Sequence, residues 1–155
     1  MPHLPEGSNS LLLRTAFGHD DSWERLRVAV TAPVEVSYPS GAVDEFQAYL
    51  TVIEDRVYDG LSASDLLEDG FDRGGHSFIF LVDELALTHP EHPVLVVDLW
   101  DQPGATFRVI PTAMWGVENN LSISNMGFDE FAENVDEDGI FRGFRDDADP
   151  PATTS

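Results

Sequence analysis

Short apolar runs alternate along the chain with acidic, Gly- and Pro-containing punctuation. Residues 11–17 (LLLRTAF), bounded by Ser10 and Gly18, read as a strand buried on both faces. Trp23, Leu26 and Val30 then recur at spacings of three and four behind Asp20 and Asp21, either of which can cap a helix. This predicts a helix ending near Ala32 and Pro33. Imperfect alternation from Phe46 to Ile53, rich in β-branched types, predicts a second strand, with a turn at Asp59 and Gly60. Ser62 or Ser64 with Asp65, Leu66 and Leu67 predicts a short helix closed by Gly70.

The runs SFIFLV (Ser77 to Val82) and VLVVDL (Val94 to Leu99) are too short for ordinary helices. They read as buried strands running into Asp83 and Asp98, with LTHPEHP as a connection between them. Trp100 to Ala105 contains Pro-Gly and is too short for a helical crossover, so Thr106 to Ile110 is expected to return antiparallel. Pro111 opens a short helix through Val117. Leu121 and Ile123, alternating with Ser122 and Ser124, predict a brief edge strand. Phe128, Phe131, Ala132 and Val135 predict an amphipathic helix, with Gly127 and Glu130 near its start, after which Ile140, Phe141 and Phe144 dock back on the body. The order predicts a single-domain α/β fold, a mixed sheet of about five or six strands with about four helices.

A chain of 155 residues favours one domain, placed here at 11–144. Residues 1–10 are expected to be a flexible N-terminus and 145–155 a disordered acidic tail, since both are polar and aperiodic. No apolar run approaches the ~20 residues of a membrane span, and the N-terminus has no basic or apolar leader. A soluble cytoplasmic protein without a membrane partner is expected.

Charge alters the functional picture more than the fold. Asp and Glu number 29 against 8 basic residues, all of them Arg, for a net charge of -21. Without Lys, P-loop and Schiff-base chemistry are excluded, and without Cys, disulfides, thiol nucleophiles and thiolate metal sites are too. Eight scattered Arg make no phosphate-binding patch, so nucleic acid is not the expected ligand. No G-x-S-x-G elbow, G-x-G-x-x-G or Walker sequence occurs.

Several segments carry a resemblance. LLLRTAF, HPVLVVDL, FRVIP, and above all VENNLSISNMGFDEF with DEDGIFRGF, resemble a family of small acidic actinobacterial proteins catalogued as a domain of unknown function. That resemblance implies lineage and an intracellular setting without a mechanism. The FDEF helix is also similar, more distantly, to the end of immunity proteins that neutralise bacterial toxins.

Four constellations are candidates for chemistry. Asn134, Asp136, Asp138 and Gly139 stand at positions 1, 3, 5 and 6 of an EF-hand calcium loop, but Arg145 stands at position 12, where a bidentate Glu belongs; an Asp/Gly turn is the simpler expectation. His89 and His92, with Asp83 or His76, are a weaker metal candidate. Asp83 and Asp98 end two neighbouring strands and are the candidate carboxylate pair, or else cap a helix and bond a turn. Trp115, Glu118, Asn119 and Asn120, with Asn125, are either a ligand surface or a structural amide network. Arg14, Arg108 and Arg142 are expected in internal ion pairs, any one of them a potential anion anchor. The expected function is an acidic non-enzymatic interaction domain, such as an inhibitor or immunity protein, with a basic protein partner and no cofactor beyond a calcium candidate. The alternative is a small-molecule binder or hydrolase-like enzyme with its carboxylates at the strand ends, walled by Trp100 or Trp115.

Overall fold

The computed structural model describes residues 3–143. The expectations for Phe144, for Arg145 and for the tail 145–155 lie outside the described residues. The chain builds β1 (Ser10–Arg14), α1 (Asp20–Thr31), β2 (Val34–Ser37), β3 (Val43–Phe46) and β4 (Leu50–Ile53), then a 3-10 turn at Arg56–Tyr58 and α2 (Ala63–Leu66). There follow β5 (Phe78–Val82), α3 (Glu84–Thr88), β6 (Val94–Asp98), β7 (Thr106–Val109), a 3-10 turn at Pro111–Ala113, α4 (Met114–Ser122), α5 (Phe128–Ala132) and β8 (Ile140–Phe141). Six strands form one sheet in the order β4-β1-β5-β6-β7-β8, and β2 pairs with β3 in a separate ribbon. The fold is an α/β domain with a mixed sheet. Strand β1 runs parallel to β4 and β5, β5–β6 and β6–β7 are antiparallel, and β7–β8 is parallel.

The period-2 alternation of the central strands divides two cores. Leu12, Phe78, Phe80, Val82, Val94 and Val96 face one side, where Trp23, Leu26 and Val30 of α1 and residues of α3, α4 and α5 cover them. Leu11, Leu13, Ile79 and Leu81 face the other, against Tyr58, Leu66 and Phe71. From β1 the chain crosses by α1 to β4, and from β4 by α2 to β5 on the far side of β1, with the two helices in opposite cores. Leu4, in the segment expected to be flexible, is 1% exposed and its N–H donates to the Asp72 carbonyl at 2.8 Å. Gly74 makes room for that strap: a Cβ there would stand 2.7 Å from the Leu4 carbonyl oxygen.

Four local expectations need correction. The predicted strand Phe46–Ile53 is two, because Gln47, Ala48 and Tyr49 carry the chain from the ribbon to the main sheet. The connection at LTHPEHP is partly helical, since Asp83 accepts a bond from the Ala86 N–H and opens α3. Residues 121–124 are no edge strand: Met114, Val117, Glu118 and Leu121 recur at helical spacing and all are buried. Finally, neither Asp20 nor Asp21 caps α1. His19 occupies the cap position at φ 52° without a side-chain bond to the helix N–H groups, its Nε2 bonding Glu84 at 2.9 Å, and the Asp20 carboxylate pairs with Arg14 instead. Among the described residues, no helix is long and apolar enough to cross a membrane.

Candidate functional site

Helix α4 presents the VENN residues to two neighbours at once. Its buried face puts Glu118 (3% exposed) among Met114, Val117 and Leu121, where an ionisable group needs hydrogen bonds. It has three: Oε2 accepts from Ser10 Oγ at 2.9 Å, and Oε1 accepts from the Tyr49 N–H at 2.9 Å and from Asn119 Nδ2 at 3.0 Å. Asn119 Nδ2 also donates to the Gln47 carbonyl at 3.0 Å. Trp115 stacks on Phe46 of β3, centroids 4.6 Å apart at 15°. These three side chains fasten α4 to β1 and to the ribbon. Asn120 works within its own turn, donating to the Gly116 carbonyl and accepting from Asn125 Nδ2, while its backbone carbonyl accepts from the Asn125 and Met126 N–H groups.

The two strand-end carboxylates do not meet. Strands β5 and β6 are adjacent but antiparallel, with Phe78 opposite Asp98, so Asp83 stands five residues farther along and roughly 17 Å away. Each is spent locally. Asp83 receives both terminal nitrogens of Arg108, at 3.0 and 2.6 Å, besides capping α3. Asp98, 3% exposed, accepts at Oδ1 from the Trp100 and Asp101 N–H groups and at Oδ2 from the Gln102 N–H.

In the calcium-like loop, the cation held is a guanidinium. Arg142 donates to Asp136 at 2.6 Å, to Asp138 at 2.7 Å and to Glu91 at 2.7 Å. Its hydrogen bonds hold the Glu91 and Asp138 carboxyls below their ordinary values and push its own pKa upward. Asn134 turns away and donates to the Glu130 carbonyl. The histidines are also in local use: His89 Nδ1 accepts from the Glu91 N–H, His92 Nδ1 bonds the Ala86 carbonyl, and His76 Nε2 bonds the Pro5 carbonyl. Among the described residues, no three His, Asp or Glu side chains converge as a metal site.

Where the parallel strands β1 and β4 end, Arg14 is 1% exposed. It donates to Glu54 and Asp20, both at 2.9 Å, and to the Ala16 and Gly18 carbonyls at 2.9 and 2.7 Å. Its guanidinium also lies over the rings of Phe17 and Trp23. At the opposite end of the sheet lies a cleft of about 260 Å³, walled by Phe78, Leu121, Met126 and Phe128 and bordered by Asp98, Trp100 and Asp101. Ser124, which also lines it, has a left-handed backbone (φ 57°) where α4 ends. Trp100 is 78% exposed and Ile123 73%.

A family model described as a domain of unknown function, DUF6924, matches residues 9–144. The chain belongs to that family. A search of curated proteins returned no match. The family match covers the whole sheet, the Glu118 network and the cleft. Of the sequence candidates, Glu118, Asn119 and Asp98 gather at the cleft end of the sheet and Asp83 at the other. Sequence reasoning missed the cleft residues Met126 and Ser124 and their neighbour Ile123. The usable signal for the cleft is Trp100 in the turn after Asp98, a large aromatic in a Pro-Gly connection with no apolar periodicity to bury it.

Proposed function

We propose that the protein is an acidic, non-enzymatic interaction domain that works in the cytoplasm by binding a basic protein, as an inhibitor or immunity protein does. The observation that carries this reading is the deployment of charge. Buried Asp98 and Glu118 are saturated by neutral donors, and Asp83, Asp136 and Asp138 are paired with Arg. The candidate catalytic carboxylates are thus engaged in holding the fold. Most of the remaining acidic excess of a chain at -21 faces water, where it attracts and steers a cationic surface. The alternative of a hydrolase-like or small-molecule site loses the carboxylate pair it was built on, with Asp83 and Asp98 at opposite strand ends.

The test is capture on the immobilised chain from its own cell's proteins, followed by calorimetry with each purified candidate at low and moderate salt. The expected partner is basic, and its affinity falls roughly tenfold or more between 0.05 and 0.3 M salt. Partners that are neutral or acidic, with salt-independent affinity, overturn the reading.

A further inference from the structure

We infer that the basic partner docks at the cleft beside Trp100, seating one aromatic or long aliphatic side chain there while flanking cations meet the carboxylates around it. This rests on the proposed interaction function and adds its location and chemistry.

Three observations converge. First, the turn that displays Trp100 is built rigid at the cost of a buried charge. Asp98 receives three successive turn N–H groups, its backbone N–H and carbonyl bond Ala105 and Gly104, and the ring it positions is left 78% exposed. A large aromatic on a preorganised backbone loses little entropy on binding, and exposed Trp is enriched among residues that dominate interfaces. Secondly, the cleft floor is apolar, with Phe78, Leu121, Met126 and Phe128. At about 260 Å³ it falls below the ~300–1,000 Å³ of small-ligand pockets, yet has room for one large side chain. Thirdly, Asp101 borders it, exposed Asp129 and Glu130 follow directly in α5, and no cation stands among the residues lining it. A second copy of a chain at -21 is repelled from such a rim, and a cationic segment is drawn to it.

The experiment titrates the full chain with three peptides: Arg-Arg-Phe-Leu-Arg-Arg, Arg-Arg-Ser-Ser-Arg-Arg, and the first with Glu replacing every Arg. Trp23 is buried and Trp115 is stacked on Phe46, so a blue shift in emission reports chiefly on Trp100. The first peptide is expected to bind with a blue shift, the second at least fivefold more weakly, and the third not at all. Trp100→Ala and Met126→Arg should each weaken the first by at least tenfold, measured by calorimetry. Because Trp100 is exposed, Trp100→Ala should melt within a few degrees of the parent, which separates lost binding from lost fold. Equal binding of the first two peptides, or an unchanged affinity in Trp100→Ala, overturns the cleft while leaving an acidic surface that attracts cations. No binding by any peptide overturns it as well. Failure of the interaction function is read separately, from the capture experiment.

Discussion

At the end of the sheet where β1 and β4 finish, the buried cation Arg14 is enclosed by two carboxylates, two carbonyls and two aromatic rings. At the other end the buried anion Asp98 spends its bonds on a turn that leaves a tryptophan outside, beside an apolar cleft. Open α/β sheets ordinarily gather ligands beyond the carboxyl ends of their parallel strands, which is the Arg14 end. Here Arg14 and its partners fill that end, and the cleft beside Trp100 lies opposite. Position within a fold therefore indicates where a site can form. Whether one does depends on how the local polar groups are satisfied.

The largest expected effect is at the closed end. Arg14→Met removes a guanidinium whose side chain is almost wholly inaccessible and frees its two carbonyl partners. Glu54 and Asp20 can turn to solvent, so urea denaturation should show a loss of roughly 2–4 kcal/mol rather than the larger figure for a fully buried pair. A loss under about 1 kcal/mol would mean that the closed end is held by its aromatic rings and that the charge is incidental.

The next effect is at the cleft end. Glu118→Ala leaves the Ser10 hydroxyl and the Tyr49 N–H without their acceptor, an expected cost of about 2–3 kcal/mol in thermal or urea denaturation. Glu118→Gln, which keeps the shape and an acceptor oxygen, should recover at least half of that. Equal losses in the two variants would show that the negative charge, and not the bonding geometry, fastens α4 to Ser10 of β1 and to Tyr49.

The smallest effect concerns Arg142 and sharpens the comparison by adding an ion cluster open to water. Glu91 and Asp138 have lowered pKa values through their bonds to Arg142, so their contribution is complete above the ordinary carboxylate range. It is lost as pH falls through the lowered values. Acidification also relieves repulsion across the whole acidic surface, which acts in the opposite direction but equally on both chains being compared. The melting temperature of the parent should exceed that of Arg142→Gln by a few degrees at most at pH 7, and the gap should close as pH falls below the ordinary carboxylate range. A difference that persists at acid pH would assign Arg142 a packing role instead.

The central architecture was legible in the sequence: β1, β5 and β6 are short, strongly apolar segments between sharp breaks, and the Pro-Gly connection after Asp98 allowed only an antiparallel return in the alternating β7. The ribbon β2–β3 escaped because Val34, Val36, Val43 and Phe46 sit among Glu, Asp and Ser and are at best half-buried, so their alternation is weak. α4 was cut short because Ser122 and Ser124 mimic a strand's polar face. The helical period of Met114, Val117, Glu118 and Leu121 becomes plain only when a buried Glu is counted as a core position. What the sequence determined by itself was the set of residues under constraint: the candidates Asp83, Asp98, Glu118, Asn119 and Asn120 all carry hydrogen bonds that shape the chain. Which of them share a place was decided by tertiary structure alone. Capping and turn bonds depend on residues one to four positions away, which the sequence displays. Strand direction and register, set by how the whole sheet packs, put Asp98 near Glu118 and leave Asp83 at the far end.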